Sequence, residues 1–552
     1  MKMPRRYWET YNGETSPLLQ IHDYLRSQKT ALETSDIKAL AEQVKLPEAT
    51  VRGVISYYAD LQDHQVSTRV CQGTSCMLAG SGNLYDNLQK YSKCQVAYCL
   101  GYCDRSPAVL DAQDRLLFHQ EARNLPDKCS GSKVEQPQLS VRCLAQEPLV
   151  TVRLGDDYSQ LEKARNAGVY STFLQALQSS PEDILSTLER AGERGRGGAG
   201  FPTGKKWRSC AQAKGEPRYV IANGDEGDPG SFIDRVLMEN DPHGVVEGIL
   251  LCGYAVGANQ GIVFIRSEYP KAIARMREAI AQARAAGIFG SQGFFPFEIS
   301  IFPGMGSYVC GEETAMLNAI EGLRGEVQIR PPYPTEAGLY GKPTIVNNVE
   351  TLVNIAPILE KGAEAYAALG TKFSSGTKVI CLNHGFARPG IVEVEFGTTV
   401  REVITEAGGG ADGKPLEAVL LGGPMGSLLL PDLWDVPICY ETMAEQGIQL
   451  GHGGIVALPA GTDYHALLEH WLKFMKDESC GKCVPCRLGS QKAWHLVRNQ
   501  IHQPQCQSQL ERLFEVMEQG SLCAFGQYMP DPMRQMIEHF GDRIFQSGVG
   551  GS

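Results

Sequence analysis

The stretch ESCGKCVPCRLG places Cys480, Cys483 and Cys486 at C-x2-C-x2-C spacing. Three thiolates on one tight turn can ligate three irons of one cubane, and the fourth ligand must then come from elsewhere in the chain. Cys523, in SLCAFGQ, is the natural candidate and Cys506 its competitor. Zinc and free thiols are the alternatives, although structural zinc usually draws on two separated C-x2-C pairs. The spacing therefore predicts a [4Fe–4S] site held by Cys480, Cys483, Cys486 and Cys523.

A second set lies near the N-terminus. VCQGTSC and CLGYC supply Cys71, Cys76, Cys99 and Cys103 as two pairs of thiols from two loops. Two ligands per iron suit a [2Fe–2S] cluster, with zinc the alternative. Glycines in both loops let backbone N–H groups approach the sulfurs. Cys94 is an extra thiol nearby and is not expected to be a ligand. The other cysteines are scattered and read as small core residues.

The compartment supports metal over disulfides. MKMPRRYWETYNGE has no apolar signal region. The longest uncharged run, 248–265, contains Asn259, Gln260 and several glycines, and reads as the end of a buried helix followed by a core strand. A soluble, cytoplasmic protein is expected, and clustered cysteines in a reducing compartment point to metal or catalysis. The net charge of -11, with both signs interspersed, argues against a nucleic-acid face. No Ser–His–Asp arrangement supports hydrolysis.

With 60 glycines in 552 residues, about 11 % against a usual ~7 %, the chain has several loops where backbone can approach a ligand. ERGRGGAGFPTGKKW is the clearest. Gly195, Gly197 and Gly200 satisfy G-x-G-x-x-G, yet SPEDILSTLERAGER before them is a capped helix, whereas the dinucleotide fingerprint follows a strand. A Walker loop fails too, because position 199 is alanine and position 206 is lysine. ANGDEGDPGSFIDR follows the strand YVI and gathers Asp225, Glu226 and Asp228 among glycines. GMGSYVCGEETA turns into a helix with Glu312 and Glu313, and KPTIVNNVET carries Asn347 and Asn348. Carboxylates and amides suit ribityl and ribose hydroxyls, and free N–H groups suit phosphate. In MENDPHG, the residues Glu239, Asp241 and His243 read as a capped helix end before they read as metal ligands.

Together GRGGAGFPTGKKW, NGDEGDPGSF, YVCGEETAMLNAIEGLRG, PPYP, GKPTIVNNVET and ESCGKCVPCR resemble the NADH-oxidising flavoprotein subunit of respiratory complex I and its relatives, the diaphorase subunits of NAD-dependent formate dehydrogenases and NAD-reducing hydrogenases. The resemblance covers about 150–545, while 1–130 resembles the thioredoxin-like [2Fe–2S] subunit of the same systems. It implies an α/β multidomain chain. The expected division is N-terminal helices (1–65), a thioredoxin-like [2Fe–2S] domain (66–130), a linker (131–150), a Rossmann-like FMN/NADH domain (151–375), a ubiquitin-like β-grasp domain (376–455) and a C-terminal helical bundle with an iron–sulfur cluster (456–552).

By the same resemblance FMN would lie against Gly195, Gly197, Gly198, Gly200, Asn223, Asp225, Glu226, Gly311, Glu312, Glu313, Asn347, Asn348 and Thr351. Phe201 would stack on the nicotinamide nucleotide, with Lys206 near phosphate or flavin. Tyr333 stands where many relatives have Phe, Asp228 where many have Glu, and Gln328 where Arg is usual. The first two are expected to face the nucleotide. NAD(H) would exchange electrons with FMN and the two clusters. The expected partner is the catalytic α subunit of a molybdenum- or tungsten-containing formate dehydrogenase, with hydrogenase subunits or a fused complex I as alternatives.

Overall fold

The computed structural model describes residues 16–28, 33–62, 68–118 and 139–545. Residues 1–15, 119–130 at the end of the expected [2Fe–2S] domain and the first part of the expected linker, 131–138, lie outside them. The first helix, Pro17–Ser27, is capped by Ser16 and opens on proline. The next, Thr34–Val44, starts on the capping box formed by Glu33 and Asp36. Leu18, Ile21, Leu25 and Leu40 from these helices share one core with Ile221, Phe264 and Phe302.

A small sheet follows: β1 (Thr68–Cys71), β2 (Cys94–Ala97), β3 (Ala108–Leu110) and β4 (Leu116–Phe118), in the order β2-β1-β3-β4. β1 and β2 are parallel and the remaining pairs antiparallel. With helices Thr74–Leu78 and Ser81–Leu88, this is the thioredoxin-like unit.

The third unit is a parallel sheet of β6 (Tyr219–Gly224), β7 (Gln260–Ile265), β8 (Glu298–Pro303) and β9 (Thr344–Asn348). The central strand β6 and its neighbour β9 are mostly buried, as strands covered on both faces must be, whereas the edge strand β8 exposes Glu298 and Ser300. Helix Pro242–Val256 packs on one face, and helix Glu313–Ile320 with the N-terminal helices on the other. The run 248–265 is the expected helix end followed by β7. No helix among the described residues is long and apolar enough to cross a membrane.

The fourth unit is a six-stranded sheet, ordered β13-β12-β14-β10-β11-β5. It contains β10 (Thr377–Leu382), β11 (Gly390–Glu395), β12 (Leu416–Leu421), β13 (Ser427–Leu429) and β14 (Gly454–Pro459). Its edge strand β5 (Val141–Cys143) comes from the segment expected to be linker and pairs in parallel with β11. Three residues are too few to show alternation, so sequence patterning had no purchase there. Five helices from Tyr464–Glu478 to Pro530–Phe545 pack on this sheet through Leu420, Leu428 and Val456.

Glu393 fastens the first domain boundary. Its buried carboxylate on β11 accepts from the N–H groups of Leu149 (2.9 Å) and Thr151 (2.8 Å) and from the hydroxyls of Thr151 (2.7 Å) and Thr377 (2.6 Å). Charge-assisted bonds of this kind are the strong ones, and buried donors left unmatched are costly. Glu393→Ala should destabilise the chain by on the order of 3 kcal/mol, with Glu393→Gln milder. Urea denaturation checks this, and an unmoved midpoint for Glu393→Ala would contradict it.

Candidate functional site between the parallel sheet and the cysteine loops

In the parallel sheet the order is β8-β7-β6-β9. The chain steps outward from β6 to β7 and β8, then returns to place β9 on the other flank of β6. The order reverses between β6 and β9, and ligands of such sheets bind at the carboxyl ends of strands at that switch. Asn223 and Gly224 end β6, and Asn347 and Asn348 end β9.

Loop 195–202 lies over this end. Arg196 is buried and turned inward, donating to Glu193 (2.9 Å), Tyr366 (2.9 Å) and the carbonyl of Thr377 (3.0 Å). Its own N–H donates to Thr351 Oγ1 (2.8 Å). The loop is thus fastened from beneath. Gly198 and Gly200 have φ of +113° and +58°, and a Cβ on Gly200 would stand 2.8 Å from the Tyr440 ring. Only glycine satisfies both demands there. A Cβ on Gly197 would press on Asn348 at 3.1 Å, and the N–H of Gly195 donates to Phe201 O (2.9 Å).

Phe201 is 56 % exposed and Tyr333 is 53 % exposed. They lie at the starts of neighbouring helices, Thr203–Gln212 and Pro334–Ala337, joined by Ser209 Oγ donating to Thr335 Oγ1 (3.1 Å). Two exposed aromatic faces beside a glycine-rich loop suit a flat heterocycle.

Other predicted residues are committed to the protein. Lys206 Nζ donates to Glu313 (2.9 Å) and Val346 O (2.7 Å). Burial pushes the Glu313 carboxyl up, but Lys206 and Arg330 outweigh it and hold it below its ordinary value. Glu312 caps helix Glu313–Ile320, accepting from Thr314 N (2.9 Å) and Ala315 N (3.0 Å), with Gly311 just before it. Glu226 caps helix Ile233–Asn240, accepting from Asp234 N (3.2 Å) and Arg235 N (2.9 Å). Asp228 is bonded to Tyr308 and paired with His452. Asn223 donates to Gly311 O (2.8 Å), Trp207 Nε1 donates to Asn347 Oδ1 (2.8 Å), and Asn348 donates to Asp234 (2.5 Å). Gln328 is bonded to Asn318 and Thr314. These side chains shape the loops.

Asp225 differs. Its carboxyl is buried at the end of β6, Arg266 Nε stands 3.7 Å from Oδ1, and Oδ2 has no protein partner. Burial pushes this carboxyl well up, against the pull of Arg266. A buried oxygen without a partner calls for a donor from outside the chain. A hydroxyl-rich nucleotide such as FMN supplies one, so the crevice fits that group.

Cys71 ends β1, Cys76 lies in helix Thr74–Leu78, and Cys99 and Cys103 flank the turn after β2. All four are buried. Cys99 and Cys103 Sγ are 3.6 Å apart, and Cys99 holds φ of +78°, rare for a residue with a Cβ. Gly101 N donates to Cys99 Sγ (3.3 Å) and Leu100 N to Cys71 Sγ (3.4 Å). The thiol of Cys76 draws Cys71 down to about 7. Cys94 packs in a different cluster, with Leu84 and Leu88.

Cys483 caps helix Val484–Gln500, Cys486 lies in its first turn, and Cys523 caps helix Ala524–Tyr528. Helix N-termini favour thiolates, and a hydrogen bond from Cys486 draws Cys483 down to about 5. A Cβ on Gly526 would stand 3.1 Å from Cys486 Cβ, which places the Cys523 helix against the triplet. Cys506 instead faces Leu496 O (3.9 Å). Among the described residues, no three of His, Cys, Asp and Glu converge as one metal ion requires. Glu239, Asp241 and His243 do not converge either: they engage Arg235, Arg153 and Tyr170 respectively.

The three centres are joined by residues that sequence reasoning did not single out. Buried Arg266 donates to Cys99 O (2.7 Å) and Glu226 O (3.3 Å). Arg235 donates to Gly101 O (2.9 Å) and covers the Tyr102 ring at 3.8 Å. Tyr98, Phe474, Tyr308 and Phe525 form a cluster of rings from beside Cys99 to beside Cys523: Tyr98 meets Phe474 at 5.1 Å, and Tyr308 stands 5.1 Å from Phe474 and 5.5 Å from Phe525, with Phe474 and Phe525 6.2 Å apart. The only signal for Arg266 was a charge closing an apolar run, in GIVFIRSE. Cys523→Ser should lose the iron of the C-terminal site, while Cys506→Ser keeps it; iron analysis with low-temperature EPR decides, and the reverse pattern would make Cys506 the ligand.

Residues 188–357 match the Nuo51 FMN-binding domain, 466–547 the NADH-ubiquinone oxidoreductase-F iron-sulfur binding region, 5–123 the thioredoxin-like [2Fe-2S] ferredoxin and 386–428 the SLBB domain. The NADP-reducing hydrogenase subunit HndC of Solidesulfovibrio fructosivorans is 41 % identical over 394 residues, 70 % of this chain and 79 % of that protein. The F subunit of the NADH-quinone oxidoreductase of Aquifex aeolicus is 38 % identical over 383 residues, 68 % and 88 % of the two chains. A solved chain of an NAD+-reducing [NiFe]-hydrogenase in the H2-reduced state superposes with a TM-score of 0.83 at 28 % identity, covering 97 % of this chain and 93 % of that one. The chain belongs to the family of FMN-dependent, NADH-oxidising iron–sulfur flavoprotein subunits, with FMN, one [4Fe–4S] and one [2Fe–2S] cluster as cofactors and NADH as substrate.

Proposed function

We propose that this chain is the NAD(H)-linked electron-transfer subunit of a cytoplasmic heteromeric oxidoreductase, and that it works with a separate catalytic subunit. The observation that carries this reading is the convergence of the β6/β9 crevice and both cysteine sets on one region, joined through Arg266 and the ring cluster of Tyr98, Phe474, Tyr308 and Phe525. FMN, when bound, supplies the conversion between two-electron and one-electron transfer.

The residues provide position. Gly195, Gly197, Gly198 and Gly200 bring backbone close to the nucleotide, and Asp225 Oδ2 accepts from it. Asn223, Asn347, Asn348, Thr351, Gly311, Glu312, Glu313 and Lys206 shape the crevice wall. Glu226 and Asp228 act through the loop they brace. Phe201 and Tyr333 offer exposed faces to the dinucleotide. No side-chain acid or base is required for hydride transfer, because orientation of the two rings is the main demand. Cys480, Cys483, Cys486 and Cys523 hold the cubane, and Cys71, Cys76, Cys99 and Cys103 the binuclear cluster.

For the catalytic partner we favour the α subunit of a molybdenum- or tungsten-containing formate dehydrogenase. The support is the one-chain fusion that retains all four N-terminal cysteines. A hydrogenase partner is the second reading, favoured by the likeness of nearly the whole chain to the NAD+-reducing hydrogenase chain. Purification with the native partner, followed by formate- and H2-dependent NAD+ reduction, separates them. H2 activity without formate activity would overturn the first.

Phe201→Ala tests the site. It should raise the KM for NADH roughly tenfold, the loss of one aromatic contact, with FMN content unchanged. An unchanged KM would remove Phe201 from the dinucleotide site.

A further inference from the structure

His452 reaches the crevice from the β-grasp domain. It sits in the loop before β14, in LGHGGI, and its Nε2 pairs with Asp228. A Cβ on Gly198 would stand 3.3 Å from Gly451 C and 3.6 Å from His452 N, so this loop abuts the glycine-rich loop 195–202. Asp228 also accepts from the Tyr308 hydroxyl. The result is a Tyr308–Asp228–His452 chain beside the loop that follows β6. It joins two domains, and its histidine is the one member with a proton exchangeable near neutrality.

We propose that His452 sets the charge of the nucleotide pocket, and with it the preference of the site for oxidised over reduced dinucleotide. The argument is electrostatic. NAD+ and NADH share their phosphates and differ by one positive charge on the nicotinamide. Hydride transfer requires that ring against the flavin, next to the loops that Asp228 and Gly198 belong to. With His452 protonated, its pair with Asp228 is neutral overall. With His452 neutral, Asp228 leaves one net negative charge, which favours the nicotinamide cation over the uncharged dihydro ring.

The neighbouring charges are fixed by other partners. Glu226 faces His452 from the loop after β6, but its carboxylate caps helix Ile233–Asn240. Lys378 faces it from β10, with Nζ 2.5 Å from Glu350 in a buried pair. The Tyr308 hydroxyl is pushed well above the ordinary range by burial and by Asp228. Burial pulls the imidazole down, but Asp228 outweighs it and holds His452 above its ordinary value. The change in preference therefore falls above pH ~6.5.

This inference rests on the placement of the dinucleotide beside loops 195–202 and 225–232. The test uses FMN-loaded protein and two ligands, NAD+ and a redox-inert tetrahydro analogue of NADH, titrated calorimetrically from pH 6 to 9. The ratio of their dissociation constants cancels the shared phosphates. In the wild type it should shift toward NAD+ by about tenfold as pH rises, the effect of one charge about a dozen ångströms away at an effective dielectric near 20. In His452→Gln and His452→Asn, which keep a polar side chain without the titration, the ratio should be flat. A flat wild-type ratio, or a variant that keeps the wild-type slope, would overturn the role of His452. Failure of either ligand to bind at any pH would instead overturn the placement on which the inference rests.

Discussion

The guanidinium of Arg266 holds the redox region together. It closes β7, where it is buried among the carbonyls of Tyr98, Cys99 and Glu226 and the carboxylates of Glu268 and Asp225. An unpaired charge there would be prohibitively costly, so the acceptors must all be present at once. Two come from the cysteine loop and two from the loop that follows β6. The arginine therefore defines the distance between the binuclear cluster's loop and the nucleotide crevice. Arg235 repeats the device a few residues away, with Gly101 O, the Tyr102 ring and Glu239 as partners. Electron transfer needs centres at fixed separation, and two buried arginines supply that rigidity without a covalent link.

The β-grasp domain completes the crevice. Tyr440 donates to Gly195 O (2.9 Å), Gly451 abuts Gly198, and Lys378 pairs with Glu350 in the helix after β9. Glu393 and β5 fasten the same domain to the chain entering the parallel sheet. The face of its sheet that carries Val379 and Glu393 also carries, at Leu420 and Val456, the C-terminal helices, so the cubane's cysteines are referenced to the sheet that braces the glycine-rich loop. The three centres share one scaffold although their ligands come from three distant parts of the chain.

Much of this was legible in sequence because its physics is local. Cysteine spacing declares how many thiols one turn can present. Ser180 and Pro181 announce the capped helix that excludes the dinucleotide fingerprint before Gly195. What escaped depends on contacts across the fold. Nothing in the sequence signals that Glu226 also caps a helix or that Asp228 meets Tyr308 and His452, more than two hundred residues away for the histidine. Lys206 is expected near phosphate or flavin, and its bonds to Glu313 and Val346 are likewise invisible in the sequence. His452 sits between glycines with no patterned neighbour, and nothing short of the fold brings it to Gly198.

If the crevice and both cysteine sets work as one unit, electrons from the dinucleotide must reach both clusters within this single chain. Anaerobic NADH added to the protein loaded with FMN and iron, followed by low-temperature EPR, measures this directly. The account predicts loss of the flavin absorbance together with the signals of a reduced binuclear cluster and a reduced cubane. Flavin bleaching with both clusters silent, in protein shown to contain both, would contradict it.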